Sequence, residues 1–197
     1  MPVNQDNPLW NFWPRNRVRL SWLFAVALLL WIALCKPQPL SFVSPSGLIA
    51  YLLMIDGIFL RSWSAGIVHK DQKLATMGPY ALCRHPLYMG SFFTACGVML
   101  MLGGWWLMLL SAAFFLLLYI PTARNEEQVL AAEFAEQWPA YVQATGMLFP
   151  RSLSAAFGRM KEGAWSAAQW RYNREYQTPL MTIAVVMAIQ IIRNWSA

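Results

Sequence analysis

The densest group of side chains that could do chemistry lies in residues 78–90, with the sequence GPYALCRHPLYMG. Pro86 suits the first turn of a helix, and the residue before a proline is disfavoured in the helical region, so His85 is predicted at the N-cap. The first N–H groups of a helix lack intrahelical partners and carry the positive end of its dipole. With donors from Arg84, His85 and Tyr88, this helix start suits a carboxylate or a phosphate. The structural alternative is that these side chains only contact lipid headgroups or belong to an aromatic belt at a membrane surface.

A second polar cluster, Arg124-Asn125-Glu126-Glu127, comes later in the chain, ahead of a helix that we expect Pro139 to end. On that helix Glu127 shares a face with three residues by spacings of three, four and seven: Leu130, Ala131 and Phe134. A carboxylate on a packed face needs a partner, which could be Arg84, Arg124 or the ammonium group of a bound ligand. The alternative left open is that these carboxylates are solvated and only interact favourably with the helix dipole.

Residues with metal-ligand spacing are not found. His69 and His85 are the only histidines, and neither has a thiol or carboxylate at a recognised ligand spacing. Cys35, Cys83 and Cys96 form no CxxC pair and are odd in number, so we expect them to be small apolar fillers. The sequence therefore predicts no metal site and no disulfide framework.

The composition indicates the kind of element that must position these residues. Of the 197 residues, 58% are hydrophobic and 12% charged, whereas soluble domains carry about 45–50% apolar and about 25% charged residues. Mean hydropathy is +0.39. These values exclude a disordered, collagen-like or ordinary soluble protein, and strand-like alternation is absent. We predict an all-α fold: one polytopic, integral membrane helical bundle over residues 1–197.

Five membrane spans are expected, because a spanning helix needs about 20 residues. They are approximately 20–36, 47–63, 86–102, 105–120 and 178–194. Residues 86–120 hold no charge and are too long for one crossing, and Gly103-Gly104 followed by Trp105-Trp106 predicts a hairpin with an interfacial belt at its turn.

Basic residues predict the orientation. The net charge is +6, and with the N-terminus inside, nearly all Lys and Arg fall on the cytoplasmic side, while Lys36 and Arg193 fall outside. Segments 64–85 and 121–177 then face the cytosol together. We expect a bacterial inner-membrane protein whose basic residues meet anionic lipid headgroups rather than nucleic acid.

Two further features have open interpretations. Asp56 lies within the second span, where it is expected either to frame a cofactor or substrate cavity or to share a polar pocket with Arg61. The basic segment 151–177 places four residues on one helical face: Leu153, Phe157, Met160 and Ala164. That face predicts an interfacial helix on anionic lipid, with a lid over the site as the alternative, in a helical C-terminal part that faces the cytosol.

Together, the motifs resemble the isoprenylcysteine carboxyl methyltransferase family and its phospholipid N-methyltransferase relatives. The resemblance covers roughly residues 57–150 and rests on motifs in a fixed order: Gly78-Pro79-Tyr80, Arg84-His85-Pro86-x-Tyr88-x-Gly90, an apolar hairpin, Arg124-x-Glu126-Glu127, and then Phe134 and Tyr141. Many members carry an Arg that contacts the substrate's carboxylate four residues before the first glutamate, where this chain has Thr122.

The resemblance implies an enzyme that uses S-adenosylmethionine. It implies that five residues line the cofactor pocket: Leu74, Tyr80, His85, Pro86 and Tyr88. Glu126, with Glu127 as a possible second ligand, would hold the cofactor's amino group. The helix start with Arg84 and His85 complements the cofactor's carboxylate.

The predicted function is methyl transfer to a small lipophilic or lipid acceptor at the cytoplasmic membrane face. We expect Arg84 and Arg124 to position or polarise the acceptor, and Tyr88 or Glu127 to take a proton where the acceptor is an amine. The acceptor atom, whether oxygen, nitrogen or sulfur, is left open, so phospholipid N-methylation is an alternative to carboxyl O-methylation. Two alternatives belong to other classes of protein. One is an NADPH-dependent membrane reductase, because sterol and steroid reductases have a comparable helical cofactor-binding half. The other is a non-catalytic membrane protein.

Overall fold

A computed structural model of the chain describes residues 8–41, 43–69 and 73–196. Within these ranges it has nine helices and no strand, in agreement with the all-α prediction. The helices are α1 (Pro8–Cys35), α2 (Pro45–Ala65), α3 (Pro79–Leu82), α4 (Pro86–Gly103), α5 (Trp105–Glu133), α6 (Trp138–Ala144), α7 (Leu153–Met160), α8 (Ala167–Tyr172) and α9 (Gln177–Ser196).

Three of the described helices, α2, α4 and α5, are long and apolar enough to cross a membrane. They contain the predicted second, third and fourth spans. Two shorter apolar stretches, Arg19–Cys35 in α1 and Gln177–Ile191 in α9, coincide with the predicted first and fifth spans. The total of five spans stays a prediction.

The hairpin between α4 and α5 lies where the glycine pair predicts it. Gly104 has a φ of +78°, in the region that favours glycine, and its N–H donates to the carbonyl of Leu100. Trp105 and Trp106 follow it with about half of their surface exposed. This turn returns the chain as α5, antiparallel to α4.

Small residues bring α2 and α4 together in the most extensive helix packing of the described chain. A Cβ atom on Gly57 would lie 2.6 Å from the carbonyl oxygen of Gly90, and one on Gly90 would lie 2.7 Å from the carbonyl oxygen of Gly57. The two backbones therefore touch at this crossing. It fixes the start of α4, where His85 lies, against the end of α2, where Arg61 lies.

Helix α5 is longer than predicted. The fourth span was expected to end near residue 120, but α5 continues through Pro121 to Glu133. Pro121 is buried, and the next residue, Thr122, donates its hydroxyl proton to the carbonyl of Leu118. Neighbouring helices and such side-chain bonds let a membrane helix tolerate proline. Glu126 and Glu127 consequently lie on the same helix as the span.

Pro139 does not end the helix that carries Glu127, contrary to the prediction. That helix ends at Glu133, and Pro139 instead lies in the first turn of α6. The missing N–H of proline costs no hydrogen bond in a first turn.

The basic segment 151–177 is not one helix. It forms α7 and α8, with Gly163 at a φ of +106° between them. Of the predicted apolar face, Phe157 is exposed, Ala164 lies beyond the end of α7, and the side chain of Leu153 lies outside the described ones. Instead Ala156 is buried, and α7 packs against α3. Packing against protein thus replaces the continuous face expected to lie on lipid.

Candidate functional site

The start of α4 is fixed by a second segment of the chain. His85 is the N-cap and Pro86 begins the helix, as predicted. The backbone N–H of Arg84 donates to the carbonyl of Gly146 at 2.9 Å, and that of His85 donates to the carbonyl of Met147 at 3.2 Å. These bonds fix the backbone that carries the Arg84 and His85 side chains.

Glu127 is held inside the protein by the two residues before Pro86. Its Oε1 atom lies 2.7 Å from Nε of Arg84 and 3.1 Å from Nε2 of His85. The Arg84 guanidinium also donates to the carbonyl of Thr145. Of the three partners considered for Glu127, the structure therefore shows Arg84, and it adds His85. A carboxylate held in this way is occupied by protein donors.

Glu126 has a different environment from its neighbour. Its side chain is 49% exposed, and it accepts a hydrogen bond from the hydroxyl of Tyr88. Its Oε2 atom lies 3.8 Å from Nδ1 of His85, and the His85 and Tyr88 rings stack with centroids 5.5 Å apart. Glu126 is thus a carboxylate that remains accessible beside an ordered pair of rings.

A cavity of about 640 Å³, here cavity I, lies beside the start of α4. Its size is within the range of small-molecule sites. Six of the seven residues predicted to bind a cofactor line it: Leu74, Tyr80, His85, Pro86, Tyr88 and Glu126. The seventh, Glu127, is not among the residues found to line it, because its carboxylate faces Arg84 and His85.

Tyr80 brings an unpaired polar atom to cavity I. Tyr80 is 7% exposed, and its hydroxyl has no hydrogen-bond partner among the described residues. Its backbone carbonyl accepts from the hydroxyl of Tyr141 at 2.9 Å. Burial raises the pKa of both phenols, so the Tyr80 hydroxyl stays protonated. A buried donor without a partner is destabilising unless a ligand satisfies it.

Aromatic and polar side chains from after residue 124 complete cavity I. Phe134 and Tyr141, part of the resemblance, line it, and so do Asn125 and Trp138, for which the sequence analysis had predicted no role. The signal for Trp138 was its place three residues before Tyr141, because that spacing puts the two on one side of a helix. Their rings meet edge to face, with centroids 5.9 Å apart.

A second cavity of about 670 Å³, here cavity II, adjoins cavity I. Four residues line both cavities: Val68, Leu87, Tyr88 and Glu126. The other walls of cavity II come from α1, α2, α5, Ser91 of α4 and the chain between α8 and α9. Tyr88 and Glu126 therefore lie at the junction of two ligand-sized spaces.

Arg61 and Glu175 form a bidentate ion pair in the wall of cavity II. Nε and one terminal nitrogen of Arg61 lie 2.8 and 2.9 Å from the two carboxylate oxygens. Glu175 is buried, and the other terminal nitrogen of Arg61 donates to Ser91 and Leu87. Sequence reasoning missed Glu175, because these partners are 114 positions apart.

Asp56 and Arg124 are placed away from the cavities. Asp56 is exposed on α2 and is not among the residues found to line either cavity, and the partner found for Arg61 is Glu175 rather than Asp56. The expectation that Asp56 frames a cavity or shares a pocket with Arg61 therefore has no support in the structure. Arg124 is also exposed and is not among the residues found to line either cavity, so its role toward an acceptor stays a prediction.

Among the described residues, no group of three or more His, Cys, Asp or Glu side chains lies close enough together to hold a metal ion. Cys83 is buried beside the start of α4, and burial raises the pKa of its thiol to about 12. It is therefore protonated at neutral pH.

The comparisons with known proteins agree with the motifs. A model of the family described as phospholipid methyltransferase matches residues 46–137. The cobalt-zinc-cadmium resistance protein CzcN of Cupriavidus metallidurans is 31% identical over 195 residues, which are 96% of this chain and 87% of that protein. The nickel-cobalt-cadmium resistance protein NccN of Alcaligenes xylosoxydans xylosoxydans is 31% identical over 93 residues, which are 46% of this chain and 43% of that protein. No solved structure matches the chain significantly.

Proposed function

Because the chain belongs to the phospholipid methyltransferase family, a family of membrane methyltransferases, we propose that it transfers a methyl group from S-adenosylmethionine to a lipophilic or lipid acceptor at the cytoplasmic membrane face. The observation that carries this proposal is cavity I. Its lining joins a helix start, an accessible carboxylate and a buried, unpaired phenol. These groups complement the parts of S-adenosylmethionine.

The residues of cavity I fit the two charged ends of the cofactor. Its carboxylate suits the start of α4, where Pro86, Leu87 and Tyr88 line the cavity and the helix dipole is positive. Its ammonium suits Glu126, which is accessible, rather than Glu127, whose carboxylate is occupied by Arg84 and His85. The Tyr80 hydroxyl offers a hydrogen bond to a cofactor acceptor atom.

Bound S-adenosylmethionine would supply a methyl group on a sulfonium, which is already activated for in-line displacement. The protein then has three tasks: to hold the acceptor in line, to exclude water and to take up a proton where the acceptor carries one. Orientation alone is worth several kcal/mol, roughly 7–11 in favourable intramolecular reactions. The stacked rings of His85 and Tyr88 provide a rigid wall for this alignment.

Cavity II is suited to the acceptor. It adjoins cavity I, and apolar and aromatic residues of α1 and α5, including Trp22 and Tyr119, line it. An acceptor with an apolar tail would enter it laterally from the bilayer, while a charged cofactor would reach cavity I from the cytosol. Tyr88 and Glu126 are bonded to each other at the junction of the two spaces, so Tyr88 stays a candidate for proton uptake and Glu126 takes the place of Glu127 beside it.

The relatives suggest a physiological setting. Both are named as metal resistance proteins, so we propose that methylation by this chain contributes to resistance against divalent metal ions. Deleting the gene should lower the concentration of cobalt, zinc or cadmium at which growth stops. A plasmid copy of the wild type should restore growth, and a copy carrying Glu126→Gln should not.

The deciding experiment measures cofactor binding and methyl transfer with the same purified protein. We expect S-adenosylhomocysteine to bind, and membranes incubated with radiolabelled S-adenosylmethionine to yield a labelled lipid-phase product. Glu126→Gln should weaken binding by about tenfold, because it removes a charge-assisted hydrogen bond. Glu136→Gln is the matched control, since Glu136 is exposed and lies outside the linings found for both cavities.

The same assay tests the alternatives. Binding of NADPH without binding of S-adenosylhomocysteine would replace the proposal with the reductase alternative. Binding of neither ligand would favour the non-catalytic one.

A further inference from the structure

Charge in cavity II is distributed in a way that constrains its ligand. Three charged residues line it among those described: Arg61, Glu126 and Glu175. The Arg61–Glu175 pair is neutral as a unit, so without bound cofactor the net charge of this lining is the one negative charge of Glu126. Glu126 is half exposed, and near a protein surface a unit charge still interacts with a neighbouring ligand charge by a few kcal/mol at about 4 Å.

Four of the five N–H groups of the Arg61 guanidinium are bonded within the protein. Glu175 takes Nε and one terminal nitrogen, while Ser91 and the carbonyl of Leu87 accept from the other. An anionic ligand at this cation would have to compete with a bidentate pair whose acid is 4% exposed. Separating such a pair leaves an uncompensated buried charge, which is strongly unfavourable.

Glu175 is held in place by hydrogen bonds that do not involve Arg61. Donors from the chain between α7 and α9 bind carbonyls at the end of α2: Trp165 to Ser62, Ser166 to Gly66, Gln169 to Val68, and Asn173 to Ala65 and Val68. The turn from α8 places Arg174 at a φ of +54°, and the N–H of Glu175 donates to the carbonyl of Trp170. We call this part of the chain (residues 165–175) the α2 clasp. It therefore positions Glu175 beside Arg61.

From this geometry we propose that Glu175 determines acceptor specificity: by neutralising Arg61, it makes cavity II select acceptors whose reacting end is cationic or uncharged and reject those whose reacting end is anionic. The inference rests on the proposed function, in which cavity II holds the acceptor. It assigns a role to a residue outside the segment matched by the family model, residues 46–137.

The proposal can be tested with two probes that have the same tail and opposite charges. 12-Bromododecylamine and 12-bromododecanesulfonate both quench tryptophan fluorescence, and Trp22 lines cavity II. Quenching that disappears in Trp22→Phe reports binding in that cavity. In the wild type without S-adenosylmethionine we expect the amine to bind about tenfold more tightly than the sulfonate, as expected for the one negative charge of Glu126.

Glu175→Gln is the variant that separates specificity from packing, because the amide keeps the size and one acceptor oxygen while Arg61 becomes an uncompensated cation. The amine-to-sulfonate affinity ratio should fall about tenfold. The double variant Arg61→Gln with Glu175→Gln leaves the same net charge as the wild type and should restore the ratio. Glu136→Gln, outside both linings, should not change it.

Three results would overturn the inference. The wild type could bind both probes equally, or it could bind neither probe with quenching that depends on Trp22. The amine-to-sulfonate affinity ratio of Glu175→Gln could also equal that of the wild type. The first two need no variant, so a Glu175→Gln protein that fails to fold leaves the test intact. Failure of the proposed function has a separate readout, the absence of S-adenosylhomocysteine binding to cavity I.

Discussion

At the residue scale, two neighbouring acids have different surroundings. Glu126 and Glu127 are adjacent, yet the first is half exposed and the second is paired with Arg84 and His85. A motif predicts that both residues matter but not which of them faces a ligand. That distinction depends on the rotation of α5 relative to α4, which no local sequence pattern encodes.

Replacing each acid with alanine should separate stability from binding. Glu127→Ala leaves the buried Arg84 uncompensated and should lower the free energy of unfolding by roughly 3 kcal/mol. Glu126→Ala should leave the unfolding midpoint nearly unchanged and weaken binding of S-adenosylhomocysteine by about tenfold. Denaturant titration and ligand titration of both variants check this. Equal losses of stability would contradict the assignment.

The unpaired Tyr80 hydroxyl gives a second prediction. Tyr80→Phe should weaken S-adenosylhomocysteine binding by about five- to tenfold, because one hydrogen bond contributes about 1 kcal/mol. Without ligand the variant should be at least as stable as the wild type, since a buried unsatisfied donor is removed. Tyr141→Phe, which loses the bond to the Tyr80 carbonyl, should lower the stability of the ligand-free protein instead. A Tyr80→Phe protein with unchanged affinity would remove Tyr80 from the cofactor site.

At the element scale, the crossing of α2 and α4 depends on the absence of side chains. A Cβ atom on Gly57 would lie 2.6 Å from the carbonyl oxygen of Gly90 and 2.6 Å from the backbone nitrogen of Thr94. Gly57→Ala should therefore push the helices apart and destabilise the protein by about 1–3 kcal/mol. Gly158→Ala is the control, because a Cβ atom there meets nothing within 4 Å. Thermal unfolding in detergent measures both, and a Gly57→Ala midpoint equal to the wild type would contradict the close approach.

Helix starts and turns could be predicted where a residue nearby in sequence determines them. The restriction that Pro86 imposes on His85, and the freedom of Gly104 at positive φ, fix the start of α4 and its hairpin with α5, and the structure has both. Where the cause is a residue distant in sequence, the helices differ from those that the sequence pattern indicates. Helix α5 passes through Pro121 because its environment tolerates the lost hydrogen bond. Likewise, the α2 clasp replaces a continuous interfacial helix because donors there find carbonyls about a hundred residues earlier.

At the scale of the whole molecule, orientation across the membrane can be tested with the native cysteines. Cys35 is exposed at the end of α1, next to the predicted outer residue Lys36, whereas Cys83 and Cys96 are buried. A membrane-impermeant maleimide added to spheroplasts should label Cys35 alone. Cys83 should stay unlabelled at pH 8 even in opened vesicles, because burial raises its pKa to about 12 and almost no thiolate is present.

Cys35→Ser is the control for this labelling and should abolish it. Labelling of Cys35 only after the vesicles are opened would invert the predicted orientation. Both cavities would then face away from the compartment in which S-adenosylmethionine is made.

The distance in sequence between Arg61 and Glu175 has a consequence for biosynthesis. At about 5–20 residues per second, the ribosome needs roughly 6–23 seconds to add the 114 positions that separate them. During that interval the Arg61 guanidinium and the last carbonyls of α2 lack the partners that they have in the folded protein. A chain that stops before residue 175 would therefore carry Arg61 without its carboxylate partner. The Arg61–Glu175 pair can thus form only after residue 175 has been synthesised.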